Sequence, residues 1–214
     1  MINHKHRFIY TKISKTASGS IHGALKNIEG KKTHCNHYHI LDDINQRTKD
    51  YFKFTFVRNP WERLVSKYFY ARRRKRKHHQ NYLEGNSTFA EFAKSKGPPY
   101  GPNDTRKFSQ QRRKLKHSPT LVRLFDQKSP YDNQLDWISD HDGNVLVDFI
   151  GRFENLQGDF NTLCDKIGIP QQNLPYKNKS KHKHYTEYYD EESRQIVAEK
   201  FARDIEYFGH EFGG

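Results

Sequence analysis

Phe52, Phe54 and Phe56 alternate with Lys53, Thr55 and Val57, a period of two that predicts a strand over residues 52–58 (FKFTFVR) with its rings turned to a core. Asn59-Pro60 then offers a cap and a proline for a first helical turn, and Trp61, Leu64, Val65, Tyr68 and Phe69 recur at helical spacing. Residues 7–13 (RFIYTKI) predict a short buried strand. The polar turn SKTAS leads from it into a helix with Ile21, Leu25 and Ile28 on one face. A third strand is predicted over 144–153 (NVLVDFIGRF), followed by a helix whose apolar stripe is Leu156, Phe160, Leu163, Cys164 and Ile167. Asp190 opens a last helix carrying Ile196, Val197, Phe201, Ile205 and Phe208. Strands that alternate with helices predict an α/β fold, a central mostly parallel sheet flanked by helices.

The chain of 214 residues suits one domain over 1–214 with a real core. Its apolar volume is carried by rings, 15 Phe and 13 Tyr, which is not the composition of a disordered chain. Thirty-eight Lys and Arg against 25 Asp and Glu leave a formal charge of +13, so the surface attracts anions. Nucleic acid, nucleotide, anionic glycan and acidic lipid fit that charge alike. Cys35 and Cys164 are too few for a disulfide framework and lack CxxC spacing, which favours a reducing compartment. No apolar run has the length of a signal peptide or a membrane span, so a cytoplasmic protein is expected. The basic run RRRKRKHH (72–79) and the turn-rich GPPYGPND (97–104) do not read as domain linkers.

Two constellations carry candidate chemistry. A strand-to-helix turn exposes backbone N–H groups at the positive end of the helix dipole, which suits phosphate or sulfate. KTASGS (15–20) is such a turn: Ala17, Ser18, Gly19 and Ser20 are small enough for an anion to approach, two of them add hydroxyls, and Lys15 adds a cation. The same residues also suit an ordinary loop with a surface lysine and a serine cap. A nucleoside-triphosphate P-loop is excluded, because Lys15 precedes the small residues instead of following them. The second constellation starts at Arg58, at the carboxyl end of a strand, where ligands bind open α/β sheets and where a planar fork suits phosphate. Ser66 follows just over two helical turns later, with Arg63 and Lys67 as lesser candidates. Taken singly, Arg58 can equally be the partner of a carboxylate and Ser66 a solvated helix residue.

ISKTASGSI and FVRNPWERLVSKYF together resemble the 5′-phosphosulfate- and 3′-phosphate-binding segments of the carbohydrate-type sulfotransferases, the group that includes heparan sulfate, chondroitin and related bacterial enzymes. Similar phrases continue in DGNVLVDFIGRFENLQGDFNTLC, LPYKNKSKHKHYTEYYDEESRQIV and DIEYFGHEF. The chain departs from that pattern at Ser14, where relatives often have proline, and at Ala17-Ser18, which replace a glycine pair. The resemblance implies a P-loop-like sulfotransferase fold and the donor 3′-phosphoadenosine 5′-phosphosulfate. Lys15 would contact the phosphosulfate, Thr16, Ala17, Ser18, Gly19 and Ser20 would surround its 5′ side, and Arg58 and Ser66 would hold the 3′-phosphate. Residues 72–130 would be a variable acceptor-side insertion, with a glycan hydroxyl as the acceptor.

Sulfuryl transfer needs the attacking hydroxyl, the sulfur and the leaving oxygen in line, leaving-group charge neutralised and a base for the hydroxyl proton. Lys15 suits the charge. The resemblance points to a base shortly after the first helix, where THCNHYHILDD offers His34, His37 and His39, with His37 the first candidate and His39 the second. No metal ligand set is evident. Two other classes remain: a nucleic-acid-binding protein with RRRKRKHH as its footprint, and a relative that binds the nucleotide without turnover. Tyr82 and Tyr100 suit sugar stacking and core packing alike.

Overall fold

The computed structural model describes residues 1–29, 40–73, 88–94, 133–140, 142–175 and 182–214. It divides into two compact units, Met1–Asn59 with Gln134–Lys179 and Pro60–Asn133 with Ser180–Gly214.

The first unit holds the sheet. Among the described residues, β1 (Ile2–Asn3), β2 (Phe8–Tyr10), β3 (Phe52–Val57) and β4 (Phe149–Arg152) form one four-stranded sheet in that order. The β1–β2 pair is antiparallel, and the β2–β3 and β3–β4 pairs are parallel, so the sheet is mostly parallel as expected. Phe8 pairs with Phe52, Tyr10 with Phe54, and Phe54 with Phe149. That register stacks the rings on one face, with Tyr10 and Phe54 parallel at 5.1 Å. Helix α1 (Ser18–Leu25) covers this face with Ile21, Ala24 and Leu25, while helix α4 (Leu156–Lys166) contributes Phe160, Leu163 and Cys164.

The period-two reading of β3 holds for its rings, yet Thr55 and Val57 on the other face are buried too. Parallel strands are commonly covered on both faces, which weakens any simple in-and-out alternation. Thr55 meets this burial by donating its hydroxyl to the Thr11 carbonyl at 2.8 Å. Two strands are shorter than predicted. Of residues 7–13, only Phe8–Tyr10 join the ladder, with Arg7 at φ 49° forming the turn from β1. Of 144–153, only Phe149–Arg152 join it, because Val145 bridges back to Ser139.

The second unit is helical among its described residues. Helix α2 (Pro60–Arg73) begins at the predicted proline and packs Trp61, Leu64, Val65 and Tyr68 against Phe89 and Phe92 of helix α3 (Phe89–Lys94), in the stretch whose structure the sequence leaves unassigned. Asp190 caps helix α5 (Glu191–Lys200): its carboxylate accepts from Ser193 N at 2.7 Å while Ser193 Oγ accepts from Asp190 N at 3.1 Å. The predicted single last helix is in fact two, because Phe201 leaves helical geometry (φ −112°, ψ 22°) with its ring in the core before helix α6 (Ala202–Phe208) resumes. Gly209, at φ 62°, ends α6 in the left-handed conformation that glycine tolerates best.

Candidate functional site

Two of the residues that the sequence singles out, Lys15 and Arg58, lie beyond the carboxyl ends of β2 and β3. After β2 the chain crosses Thr11–Ile13 and turns into α1 through Ser14–Ala17. Lys15 at φ 69° and Ala17 at φ 58° both occupy the left-handed region, where side chains are disfavoured. Between them Thr16 is fully buried and its hydroxyl donates to the Ile13 carbonyl at 3.1 Å, which ties the turn to the strand end. Ala17 is the residue before the helix, and no side chain caps it. A serine cap is therefore not what starts α1. Ser20 N and Ile21 N close onto the Ala17 carbonyl at 2.9 and 3.2 Å. Turns of this kind, with left-handed residues and small side chains opening a helix, aim backbone N–H groups outward and suit an anion.

Arg58 is the residue after the last ladder position of β3, and it is 6% exposed. Its Nη1 donates to the Lys15 carbonyl at 3.3 Å, so Arg58 meets the turn of the first constellation. The guanidinium lies over the Phe153 ring with 3.7 Å to the centroid. Its backbone is held by Gln134, whose Oε1 accepts from Arg58 N at 2.9 Å and whose Nε2 donates to Arg58 O at 2.8 Å. Glu154 Oε1 accepts from the next amide, Asn59 N, at 2.6 Å. These supports follow from topology: Val57 pairs with Arg152, and Phe153 N donates to Val57 O at 2.8 Å, so the end of β4 lies beside the end of β3.

Sequence reasoning named Arg58 but not Gln134, Phe153 or Glu154. The available signal was FIGRFEN itself, since a polar residue just past a predicted parallel strand falls at the same sheet edge as Arg58. Gln134 had no local signal, lying 76 positions away along the chain.

Ser66, Arg63 and Lys67 belong to α2 in the second unit and are buried at 4%, 1% and 5% exposure. They are thus not solvated helix residues. Lys67 Nζ lies 6.0 Å from the Phe201 ring centroid. His34, His37 and His39 lie outside the described residues, as do Cys35, Tyr82, Tyr100, the loop 97–104 and all of the basic run beyond Arg72 and Arg73. Just after the histidines, burial pushes the Asp43 carboxyl above its ordinary value, opposed by the Met1 amino group 3.8 Å away. Burial likewise pushes the Cys164 thiol up and keeps it protonated as a packing residue of α4. Among the described residues, no group of His, Cys, Asp and Glu is arranged to hold a metal ion, and no helix is long and apolar enough to cross a membrane.

A sequence profile described as "Sulfotransferase family" matches residues 1–211. Carbohydrate sulfotransferase 14 of Danio rerio is 26% identical over 193 residues, which cover 80% of this chain and 48% of that protein. Carbohydrate sulfotransferase 9 of Homo sapiens is 26% identical over 224 residues, covering 95% of this chain and 47% of that protein. An uncharacterized protein of Archaeoglobus fulgidus is 30% identical over 122 residues, covering 57% and 72% respectively. The chain spans about half the length of the curated carbohydrate sulfotransferases it matches. No solved structure matches it.

Proposed function

Since the chain belongs to the sulfotransferase family, we propose that it transfers a sulfuryl group from 3′-phosphoadenosine 5′-phosphosulfate to a hydroxyl of a carbohydrate. One observation carries this reading: the 3.3 Å hydrogen bond from Arg58 to the Lys15 carbonyl, which joins the turn after β2 to the end of β3. Two anion-suited features in contact match a nucleotide with a charged group at each end. The carbohydrate acceptor is supported by the names of the relatives at about 26% identity.

In this reading residues 1–214 act as one sulfotransferase domain, and the 72–130 segment supplies acceptor contacts. The backbone of Thr16–Ser20 and the Ser18 and Ser20 hydroxyls surround the phosphosulfate, while Lys15 neutralises the charge that grows on the bridging oxygen. Arg58 takes the 3′-phosphate through its planar fork. Ser66 is assigned to that same phosphate on the resemblance alone. The acceptor oxygen bonds to sulfur as the bond from sulfur to the bridging oxygen breaks. The hydroxyl proton passes to His37, with His39 as the second choice. The nucleotide leaves as 3′-phosphoadenosine 5′-phosphate.

The test pairs calorimetry with turnover. Arg58→Ala is expected to bind 3′-phosphoadenosine 5′-phosphate at least about tenfold more weakly, the loss of one charge-assisted contact. Unchanged affinity would remove the donor-site assignment. Labelled donor offered with glycans, glycolipids and small alcohols is expected to label the glycans. Donor binding with no labelled product from any acceptor would leave a nucleotide-binding relative without turnover. Steeply salt-dependent DNA binding with no nucleotide affinity would favour the nucleic-acid reading instead.

A further inference from the structure

Arg58 sits one residue beyond the last ladder pair of β3, where a strand's backbone N–H and C=O lose their neighbour and water normally replaces it. Here a single side chain replaces both. The Gln134 amide accepts from Arg58 N and donates to Arg58 O, copying the donor and acceptor pair of a strand residue, and it is fully buried. Carboxamide groups carry an acceptor and a donor in one plane, which neither a carboxylate nor an ammonium does. The orientation of the amide follows from its partners, since only its oxygen can accept from Arg58 N.

The side chain of Arg58 is fixed separately. Phe153 supports one face of the guanidinium at 3.7 Å, and the Lys15 carbonyl takes Nη1 at the edge. A cation stacked on a ring can still turn within its own plane, and the edge contact stops that turning. Backbone, face and edge are therefore held by three segments that are far apart in sequence.

We propose that Gln134 and Phe153 are positioning residues for the 3′-phosphate, acting only through Arg58. An arginine already held in place loses less rotamer freedom when an anion binds, so affinity gains from contacts that never touch the ligand. The inference rests on the donor-site reading given above. Neither residue is needed for contact with the 5′ side of the nucleotide.

The test compares two ligands, 3′-phosphoadenosine 5′-phosphate and adenosine 5′-phosphate, which differ only in the group that Arg58 is assigned to hold. Calorimetry on the full chain reads the ratio of the two affinities. The unaltered protein is expected to prefer the bisphosphate, and Arg58→Ala to lower that preference by more than the loss of either positioning residue. Gln134→Met and Phe153→Leu should each lower the ratio about tenfold, equivalent to about 1.4 kcal/mol, with affinity for adenosine 5′-phosphate kept. Phe153→Leu retains an apolar side chain and carries the test if Gln134→Met does not fold. Equal weakening of both nucleotides would mean a purely structural role and would overturn the inference, as would an unchanged ratio. No preference in the unaltered protein would instead sink the donor-site reading beneath it.

Discussion

The ends of β2 and β3 in the first unit reach the same neighbourhood by opposite means. After β2, the turn is built locally: Thr16 reaches back three residues, and the geometry is stored in left-handed Lys15 and Ala17. After β3, Arg58 is held by Gln134 and Phe153 and the next residue, Asn59, by Glu154, partners 76 to 95 residues away. The proposed donor site thus combines a strained local turn with a long-range brace, and the hydrogen bond from Arg58 to the Lys15 carbonyl links them. Backbone strain persists only where surrounding contacts hold it, so the brace is a reason the turn keeps its shape.

The largest way to break this comparison is at the turn's cation. Lys15→Ala is expected to lower turnover about 10²- to 10³-fold, the scale of losing one charge-stabilising contact in a transition state. The melting temperature should change little, since the contacts of the Thr16 hydroxyl and the Lys15 carbonyl, which hold the turn, are kept in the variant. Normal turnover would move the charge-neutralising role to another residue.

The brace breaks by a different route, through Gly151 in β4. A Cβ there would lie 2.3 Å from Phe56 Cε1 and 2.6 Å from Cδ1, and Phe56 is fully buried, so the ring has no exposed side to retreat to. Gly151→Ala is expected to cost about 1–3 kcal/mol, the usual penalty for overpacking, measured by chemical denaturation. Spreading β3 from β4 also displaces Phe153 and Glu154 relative to Arg58. Affinity for 3′-phosphoadenosine 5′-phosphate should therefore fall together with stability. Lost stability with full affinity would show that the brace does not depend on strand spacing.

The same contrast explains what the sequence made legible. The first turn could be read because its determinants are consecutive: small residues, a lysine and a following apolar stripe. Helix α2 and the cap at Asp190 were readable for the same reason. Gln134 was not, because its role exists only once the chain returns to the end of β3, 76 residues further on, and nothing near it marks that return. Burial of Thr55 and Val57 blurred the strand pattern, and Phe201 broke a helix whose periodicity runs through it unchanged. The local strain was also invisible, since Ala17 was expected only to be small.

That strain supplies the smallest and sharpest prediction. Alanine in the left-handed region carries a penalty of roughly 1–2 kcal/mol that glycine escapes. Glycine also gives the unfolded chain more freedom, which removes about 0.4–1 kcal/mol of the gain. Ala17→Gly should therefore stabilise the protein by up to about 1.6 kcal/mol, at about 2–4 °C in melting temperature per kcal/mol for a chain of this size. Scanning calorimetry reads it directly, and the φ of 58° is the reason to expect a gain at a helix start, where no side chain caps the first turn. A drop in melting temperature would mean that the unfolded-state term outweighs the relief. Ala17 would then store no strain for the junction at Arg58 to hold, and that side of the contrast would fail.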